Sequence, residues 1–370
     1  MVVPFFDLKA QYAALEKEIL SAIADFLPKQ QLILGETVEN FERHLSRYCH
    51  TPHAIGVSSG TDALALALES LEIQAGDEVI VPAFTYFATA SVVVRRGAKP
   101  VFCDIDPLTY NLNPHLLESL LTSRTKAIIP VHLFGHAAPM PEILAWAMRH
   151  NVEVIEDAAQ AIGAEIHGAR VGSFGRMAAF SFYPTKNLGA FGDAGALTAH
   201  RDEDAIRLRM LRAQGSKERY VHEGIGGAFR LDALQALILS IKLPHLESWH
   251  EARQQHARYY LHHLSDIEGL SLPVTLDGYR HTYNQFVIRT KQRDALRAHL
   301  QNMGIYTEIY YPRALPDQPI FVQLGYHKCS CPEARAAARE VLALPIYPEL
   351  TEEALQKVVH AIRLFFNKNG

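Results

Sequence analysis

A lysine and a carboxylate near the middle of the chain have the types and spacing that a covalently bound cofactor needs. Lys186 follows an apolar run at 178–182 and lies in a glycine-rich turn. Asp157 follows a second apolar run, 152–155, and lies 29 positions before Lys186. Because lysine is seldom buried without a use, a lysine that follows a buried strand predicts a reactive amine.

Such a pair is the arrangement that pyridoxal 5'-phosphate requires. A lysine forms a Schiff base with the aldehyde of that cofactor. A carboxylate pairs with the pyridine nitrogen and keeps it protonated, so that the ring accepts electrons. We therefore predict that Lys186 is the covalent anchor and Asp157 the ring partner. The alternatives are a surface lysine with a buried stem and a carboxylate that caps the next helix.

A third segment has the features of a phosphate site. Residues 58–62, Ser-Ser-Gly-Thr-Asp, stand between a predicted strand and an alanine-rich helix. A helix N-terminus offers free N–H groups and the positive end of a dipole, which suit a phosphate. Gly60 lets the backbone approach a ligand closely. The alternative is an ordinary Ser/Thr cap of the helix.

The elements that position these residues follow an α/β pattern. From about residue 50 to 200, short apolar strands alternate with helical patterns, which indicates a mostly parallel sheet covered on both faces. Ligands bind beyond the carboxyl ends of such strands, and each motif falls at a strand end. After residue 201 the pattern is mainly helical. Helices are predicted at 230–242, 247–264, 293–303, 333–342 and 352–366, and a strand at 283–289.

The composition bounds the class of protein. The 370 residues suit two domains, and we predict a large domain over 1–245 and a smaller α+β domain over 246–370. Net charge is −4 without a basic block, which argues against nucleic acid and anionic membranes as partners. No apolar stretch has the length of a membrane span. Four cysteines are too few for a disulfide framework. No metal site is predicted. The expected location is cytoplasmic.

Taken together, these motifs resemble the StrS/DegT family of sugar-nucleotide aminotransferases. The resemblance extends from residues 5–12 to residues 342–348, and its most specific stretches are 58–64, 156–160 and 182–189. It implies the PLP-dependent fold type I, with a mostly parallel seven-stranded sheet in the large domain. It also implies a homodimer with active sites at the subunit interface. The resemblance leaves open whether the first 12 or so residues pack with the smaller domain.

The resemblance assigns roles around the cofactor. Gly60 and Thr61 are implied to hold the phosphate of pyridoxal 5'-phosphate, and Ser181 to add a hydroxyl to it. Gln160 is implied to bind the ring hydroxyl, and Tyr86 to stack on the ring. The alternatives are a serine bonded to the backbone for Ser181 and core packing for Tyr86.

Substrate residues are implied less specifically. Tyr183 and Tyr311 are candidates for substrate contacts, and Tyr311 belongs to the matched segment 309–312. Arg230 suits a sugar-nucleotide pyrophosphate or a substrate carboxylate, with a structural arginine at a helix start as the alternative. Its segment, 226–231, is expected to reach the active site of the partner subunit.

Three positions depart from the family pattern. Ala228 stands where the family commonly has an asparagine that bonds the partner subunit's cofactor phosphate. Gln214 and Pro316 stand where histidines are common. These departures put cofactor affinity and substrate identity in question more than the class of reaction.

The implied function is a transamination in amino-sugar biosynthesis. L-Glutamate converts the Lys186-bound cofactor to pyridoxamine phosphate, and a dTDP- or UDP-linked keto-sugar then takes the amino group, in a ping-pong sequence. Residues 109–112 and 130–135 look more like those of enzymes acting on 3-keto than on 4-keto sugars. The alternatives are a PLP-dependent sugar-nucleotide dehydratase, in which the lysine is commonly replaced, and a non-catalytic regulatory protein on the same fold.

Overall fold

The computed structural model describes residues 1–218 and 220–369. In these ranges the α-helices are α1 (Lys9–Phe26), α2 (Glu36–Tyr48), α3 (Gly60–Ser70), α4 (Ala88–Arg95), α5 (Leu117–Leu120), α6 (Met140–His150), α7 (Asp202–Arg212), α8 (Ala233–Lys242), α9 (Leu246–Leu264), α10 (Arg293–Asn302), α11 (Pro319–Gln323), α12 (Pro332–Glu340) and α13 (Glu352–Asn369). Short 3₁₀ helices lie at Leu27–Lys29, Pro114–Leu116, Leu133–Gly135, Leu243–His245, Leu315–Asp317 and Tyr326–Lys328.

The strands in the same ranges form one large sheet and several small ones. They are β1 (His53–Val57), β2 (Glu78–Pro82), β3 (Lys99–Cys103), β4 (Thr125–Ile128), β5 (Glu153–Asp157), β6 (Glu165–Ile166), β7 (Ala169–Arg170), β8 (Met177–Ser181), β9 (Gly195–Ala199), β10 (Ser216–Glu218), β11 (Val221–His222), β12 (Tyr279–Arg280), β13 (Phe286–Arg289) and β14 (Val341–Leu344).

The large sheet has seven strands in the order β1-β9-β8-β5-β4-β2-β3. Strand β9 is antiparallel to both of its neighbours, and the other pairs are parallel. Along β2, Val79 and Val81 pack into one hydrophobic cluster and Ile80 into another, because successive strand residues face opposite sides. The predicted mostly parallel seven-stranded sheet is confirmed.

A separate core surrounds the antiparallel ribbon β13–β14. Phe286 and Ile288 pack with residues of α9, α10 and α13 in this core. Val287 and Ala343 lie on the opposite face of the ribbon and join the core of the large sheet. The ribbon therefore packs against both cores. Helix α9 begins at Leu246, and the division of the chain at residue 245 stays a prediction.

The N-terminal residues pack at two different places. The Val3 N–H donates to the Gly304 carbonyl over 2.8 Å, and Val3 pairs with Ile305 in a parallel bridge. Val3 is therefore part of the core around β13–β14. Helix α1 instead packs against α8, where Ile19 contacts a cluster with Ile238.

The predicted helices are wrong at two of their ends. The helix predicted over 333–342 ends at Glu340, and Val341–Leu344 form β14, which pairs with β13. This run is apolar and precedes Pro345, so it suits a buried strand. The helix predicted from Arg230 begins at Ala233, because Arg230 pairs with Val57 in an antiparallel bridge.

Three further observations concern the described part of the chain. No helix in it has the length and hydropathy needed to cross a bilayer. Cys49, Cys103, Cys329 and Cys331 are free thiols. No group of three or more His, Cys, Asp or Glu side chains in these residues is arranged to hold a metal ion.

Candidate active site

Asp157 is the last residue of β5, at the carboxyl end of the central sheet. Its side chain is only 4% exposed. The Thr89 hydroxyl donates to Oδ2 over 2.8 Å, and the Ala159 N–H donates to Oδ1 over 3.2 Å. Burial raises the pKa of this carboxyl, while the Thr89 hydrogen bond and the charge of Lys186 act in the opposite direction. A cation near Asp157 would remove the cost of the buried charge.

Lys186 lies in the turn between β8 and β9. Its backbone N–H donates to the Tyr183 carbonyl over 2.8 Å, which closes the turn. Burial of the amine lowers the pKa of Lys186 to about 8, and the charge of Asp157 partly opposes that change. The predicted anchor and the predicted ring partner therefore interact within one site. A lysine with a lowered pKa is partly uncharged near neutral pH and so is a nucleophile.

The N-terminus of α3 lies against the end of β8. Ser59 caps the helix, since its hydroxyl oxygen accepts the Asp62 N–H over 3.1 Å. A Cβ added to Gly60 would lie 2.7 Å from the Cβ of Ser181, so only glycine allows this approach. The structure thus brings together the free first-turn N–H groups of Gly60 and Thr61 and the hydroxyl of Ser181. These are the three residues predicted to hold a phosphate.

Gln160 is buried and its amide is fixed at both ends. Its Oε1 accepts the Phe134 N–H over 2.8 Å, and its Nε2 donates to the Tyr311 hydroxyl over 2.8 Å. Because the amide nitrogen carries two hydrogens, one N–H of Gln160 remains for a further acceptor. Burial raises the pKa of Tyr311, so its hydroxyl stays neutral.

Aromatic rings form one side of the site. Tyr86 precedes α4 and is 59% exposed, whereas Phe84 is completely buried. The Tyr311 ring centroid lies 6.2 Å from that of Tyr86 and 6.0 Å from that of Phe84. Tyr86 is therefore available to stack on a ligand, while Phe84 is a core residue. Tyr311 supports both Tyr86 and Gln160.

The predicted substrate residues are more exposed. Tyr183 is 52% exposed. Arg230 is half-buried, and its guanidinium makes no hydrogen bond or ion pair with the rest of the described chain. Ala228 is exposed, and the neighbouring Phe229 carbonyl accepts the Ser58 N–H over 3.0 Å. The segment 228–230 thus lies beside the residues that lead into α3. Its assignment to the partner subunit's site stays a prediction.

Sequence analysis missed several buried polar residues that support the site. Asn111 accepts the Leu133 N–H and donates to the carbonyls of His136 and Ala137. It thereby fixes the turn that carries Phe134, the hydrogen-bond partner of Gln160. Thr89, which bonds Asp157, lies in α4. Neither residue stands out in the sequence, because each lies among other polar residues and its partner is distant along the chain.

A buried hydrogen-bonded pair involves Glu156, the residue of β5 that precedes Asp157 and faces the opposite side of the strand. His132 and Glu156 are both completely buried, and 2.9 Å separates Nε2 of His132 from Oε2 of Glu156. Because Nδ1 of His132 accepts the Ala138 N–H, Nε2 carries the proton and donates to Glu156. Glu156 also accepts the N–H groups of Gly172, Phe174 and Gly175. This pair keeps the strand that presents Asp157 in place.

The residues present fit pyridoxal phosphate. The buried Asp157 carboxylate lacks a cationic partner in direct contact among the described residues, and a protonated pyridine nitrogen would supply one. The close approach of Gly60 to Ser181 forms a cradle that any Cβ at residue 60 would fill. Gln160 keeps one free donor at Nε2. An amine, a carboxylate, an amide and a phosphate cradle at one sheet edge are what a PLP-dependent enzyme of fold type I requires.

Comparison with known proteins gives the family. The model of the DegT/DnrJ/EryC1/StrS aminotransferase family matches residues 13–363. The chain belongs to this family. The predictions of family, of fold class and of an aminotransferase are thereby confirmed.

Individual relatives match along nearly their whole length. A pleiotropic regulatory protein of Geobacillus stearothermophilus is 47% identical, with 99% of each chain covered. The dTDP-3-amino-3,4,6-trideoxy-alpha-D-glucose transaminase of Streptomyces venezuelae is 45% identical, covering 98% of this chain and 95% of its own. The UDP-N-acetyl-3-dehydro-alpha-D-glucosamine 3-aminotransferase of Acidithiobacillus ferrooxidans is 44% identical, covering 98% and 97%.

Solved structures agree with this assignment. S. venezuelae DesV in complex with a ketimine intermediate superimposes with a TM-score of 0.96 at 45% identity, and 98% of each chain is covered. The Bacillus subtilis protein NtdA, solved with bound cofactor PMP, has a TM-score of 0.89 at 31% identity, with 95% of this chain and 82% of that chain covered. These likenesses confirm the predicted cofactor, pyridoxal phosphate.

Proposed function

We propose that this enzyme transfers the amino group of L-glutamate to C3 of a keto-sugar linked to dTDP or UDP. The pairing of Lys186 with the buried Asp157 carries the proposal, because both groups lie at one sheet edge and each acts on the other's pKa. The names of two relatives support the sugar, since both describe amino groups at C3, one on a dTDP-sugar and one on a UDP-sugar.

Lys186 and Asp157 divide the proton chemistry between them. Pyridoxal phosphate, when bound, supplies a ring that accepts the electron pair left as a proton leaves the substrate carbon. The Asp157 carboxylate holds a proton on the ring nitrogen. The Nζ of Lys186 would anchor the cofactor. Once released, this amine would take a proton from one of the two reacting carbons and deliver it to the other. With a pKa of about 8, this amine is suited to both transfers near neutral pH.

The surrounding residues fix the position of the cofactor. The N–H groups of Gly60 and Thr61 and the Ser181 hydroxyl would bind its phosphate, at the positive end of the α3 dipole. The free N–H of Gln160 would bind the ring hydroxyl. Tyr86 would stack on the ring, and offset stacking is worth about 0.5–1.5 kcal/mol.

The substrate enters on the exposed side of the site. We assign Tyr183 to this side. Arg230 belongs to segment 226–231, and we assign its guanidinium to the partner subunit's site, where it would bind the pyrophosphate or the glutamate carboxylate. Tyr311 positions the Gln160 amide through their hydrogen bond. Tyr311 is also a candidate for direct contact with the substrate. The protein is proposed to work as a homodimer, with segment 226–231 completing the partner subunit's site.

The other candidate functions explain less of the site. Lys186 argues against a sugar-nucleotide dehydratase, in which this lysine is commonly replaced. One relative is named a pleiotropic regulatory protein. A regulator without catalysis would not need a reactive lysine, a buried carboxylate and a phosphate cradle at one sheet edge.

A substrate screen tests the proposal. The holoenzyme is incubated with 15N-labelled L-glutamate and a panel of dTDP- and UDP-linked 3-keto and 4-keto sugars, and products are analysed by mass spectrometry. We expect label in a 3-amino sugar nucleotide and none with the Lys186→Ala variant. Label only in 4-amino products would correct the ring position. Absence of label with every sugar would overturn the proposed function.

A further inference from the structure

A second lysine is buried close to the turn that carries Lys186. Lys242, the last residue of α8, is 2% exposed. Its Nζ donates to the Gly189 carbonyl over 2.7 Å and lies 4.7 Å from the centre of the Phe191 ring. Leu or Met would fill the same space without the cost of burying an amine. The amine therefore serves the contacts that it makes.

Those contacts hold the base of the turn at residues 183–191, which we call the lysine turn. A Cβ on Gly189 would lie 2.3 Å from the Pro184 carbonyl oxygen, so residues 184 and 189 touch across the turn. The Ala190 N–H donates to the Phe182 carbonyl over 2.8 Å. Lys186 lies inside the loop that both contacts close. A shift of the Gly189 carbonyl would therefore move the backbone that carries Lys186.

The same face of α8 makes further contacts with the turn. Gln235 precedes Lys242 by seven residues and so lies on the same side of the helix. Its Oε1 accepts the Phe191 N–H over 2.8 Å, and its Nε2 donates to the Phe191 carbonyl over 3.3 Å. Within the turn, the Asn187 amide also donates to the Thr282 carbonyl over 3.1 Å. The lysine turn is thus held between α8 and the segment before β13.

We propose that Lys242 is a positioning residue for Lys186. Its hydrogen bond to Gly189, together with the two from Gln235, sets the place of the lysine turn relative to Asp157. This inference rests on the proposed function, in which Lys186 is the reactive amine. Displacements of about 1 Å in a catalytic group cost on the order of a hundredfold in rate, so a turn that is held loosely would slow the enzyme while leaving it folded.

Two substitutions separate the hydrogen bond from the charge. Lys242→Met fills the space without a donor, and Lys242→Gln removes the charge but keeps an N–H for the Gly189 carbonyl. Ser240→Ala is the matched control. Ser240 lies on α8, and within the described part of the chain its hydroxyl bonds only the Ala236 carbonyl of the same helix. The thermal midpoint of each apoprotein is measured first.

The first readout uses the apoprotein and needs no substrate. The rate at which Lys186 reacts with an amine-specific reagent is followed against pH by peptide mass spectrometry. We expect Lys242→Met to change this profile, and Lys242→Gln and Ser240→Ala to stay close to the wild type. A Met variant with the wild-type profile, or a Gln variant changed as much as the Met variant, overturns the proposal.

The second readout is the single-turnover reaction of the holoenzyme with L-glutamate. We expect Lys242→Met to lower the rate constant about tenfold or more, with the apparent dissociation constant of glutamate changed by less than about twofold. Lys242→Gln should restore most of the rate. If the Met variant does not fold, Gln235→Ala must lower the rate in the same way, and an unchanged rate overturns the proposal. A wild-type enzyme that does not react with any donor contradicts the proposed function, while the apoprotein profile still decides the role of Lys242.

Discussion

Replacing Asp157 by asparagine should separate the stability of the apoprotein from catalysis. The amide can keep both local hydrogen bonds: its Oδ1 accepts the Ala159 N–H, and its NH₂ group can donate to the Thr89 hydroxyl. That hydroxyl can then donate to Thr85, whose Oγ1 lies 3.3 Å away. The packing around residue 157 is therefore preserved. What is lost is the negative charge.

The loss of charge has opposite effects on stability and on rate. Burial raises the pKa of Asp157 in the folded apoprotein. The contribution of such a carboxyl to stability is fully present below its unfolded pKa of about 4 and is lost as pH rises through the folded pKa. Asparagine does not ionise, so the Asp157→Asn apoprotein should melt at the same temperature as the wild type or higher near pH 7.

The catalytic loss is expected to be large. An amide cannot hold a proton on the ring nitrogen, so the ring loses its attraction for the electron pair that develops in the transition state. Preorganised electrostatic groups are worth about 10²–10³ in rate, or about 2.7–4 kcal/mol. We expect the single-turnover rate with L-glutamate to fall at least a hundredfold.

Calorimetry of the apoprotein and stopped-flow spectroscopy of the holoenzyme measure the two effects. Cofactor binding should be retained, because the contacts of Gly60, Thr61 and Ser181 are unchanged. A rate loss below about tenfold, roughly 1.4 kcal/mol, would refute a role for Asp157 at the ring nitrogen. A lower melting temperature near pH 7 would refute the argument from burial.

Three further predictions concern the amine and the phosphate cradle. Covalent attachment of pyridoxal phosphate to the apoprotein should accelerate as pH rises, with a midpoint near the Lys186 pKa of about 8, and a midpoint near 10.5 in the pH–rate profile would contradict this. Gly60→Ala should weaken cofactor binding about tenfold or more, because the added methyl would lie 2.7 Å from the Cβ of Ser181 and overpacking costs about 1–3 kcal/mol. Equilibrium dialysis measures the dissociation constant of the cofactor. Ala228→Asn should tighten cofactor binding and raise the melting temperature of the holo form alone, since a hydrogen bond to a charged group is worth about 1.5–3 kcal/mol; unchanged affinity would show that residue 228 does not face the partner subunit's phosphate.

The sequence predicted the central sheet well because its signals are local. Most of its strands are short apolar runs followed by a helix, as at β1, β2, β3, β4 and β9, so the order of elements indicates a mostly parallel sheet. The motifs at 58–62, 156–160 and 182–189 fall at strand ends, and the common edge of the sheet brings them together.

The contacts that complete the site could not be predicted because they join distant residues. Gln160 and Tyr311 are 151 positions apart, and Asp157 and Thr89 are 68 apart. Periodicity indicates which face of an element is buried, but not which side chain it meets. The same limit explains the error at 341–344, where an apolar run after a helix forms a strand only because β13 lies beside it.

Mapping the covalent attachment of the cofactor tests whether Lys186 is the catalytic amine. The holoenzyme is reduced with borohydride and digested, and the peptides are sequenced by mass spectrometry. We predict one modified peptide, carrying a phosphopyridoxyl group on Lys186, and its loss when L-glutamate is added before reduction. A group found on another lysine, such as Lys242, or a Lys186 peptide that L-glutamate does not change, would contradict the assignment of Lys186 as the catalytic amine.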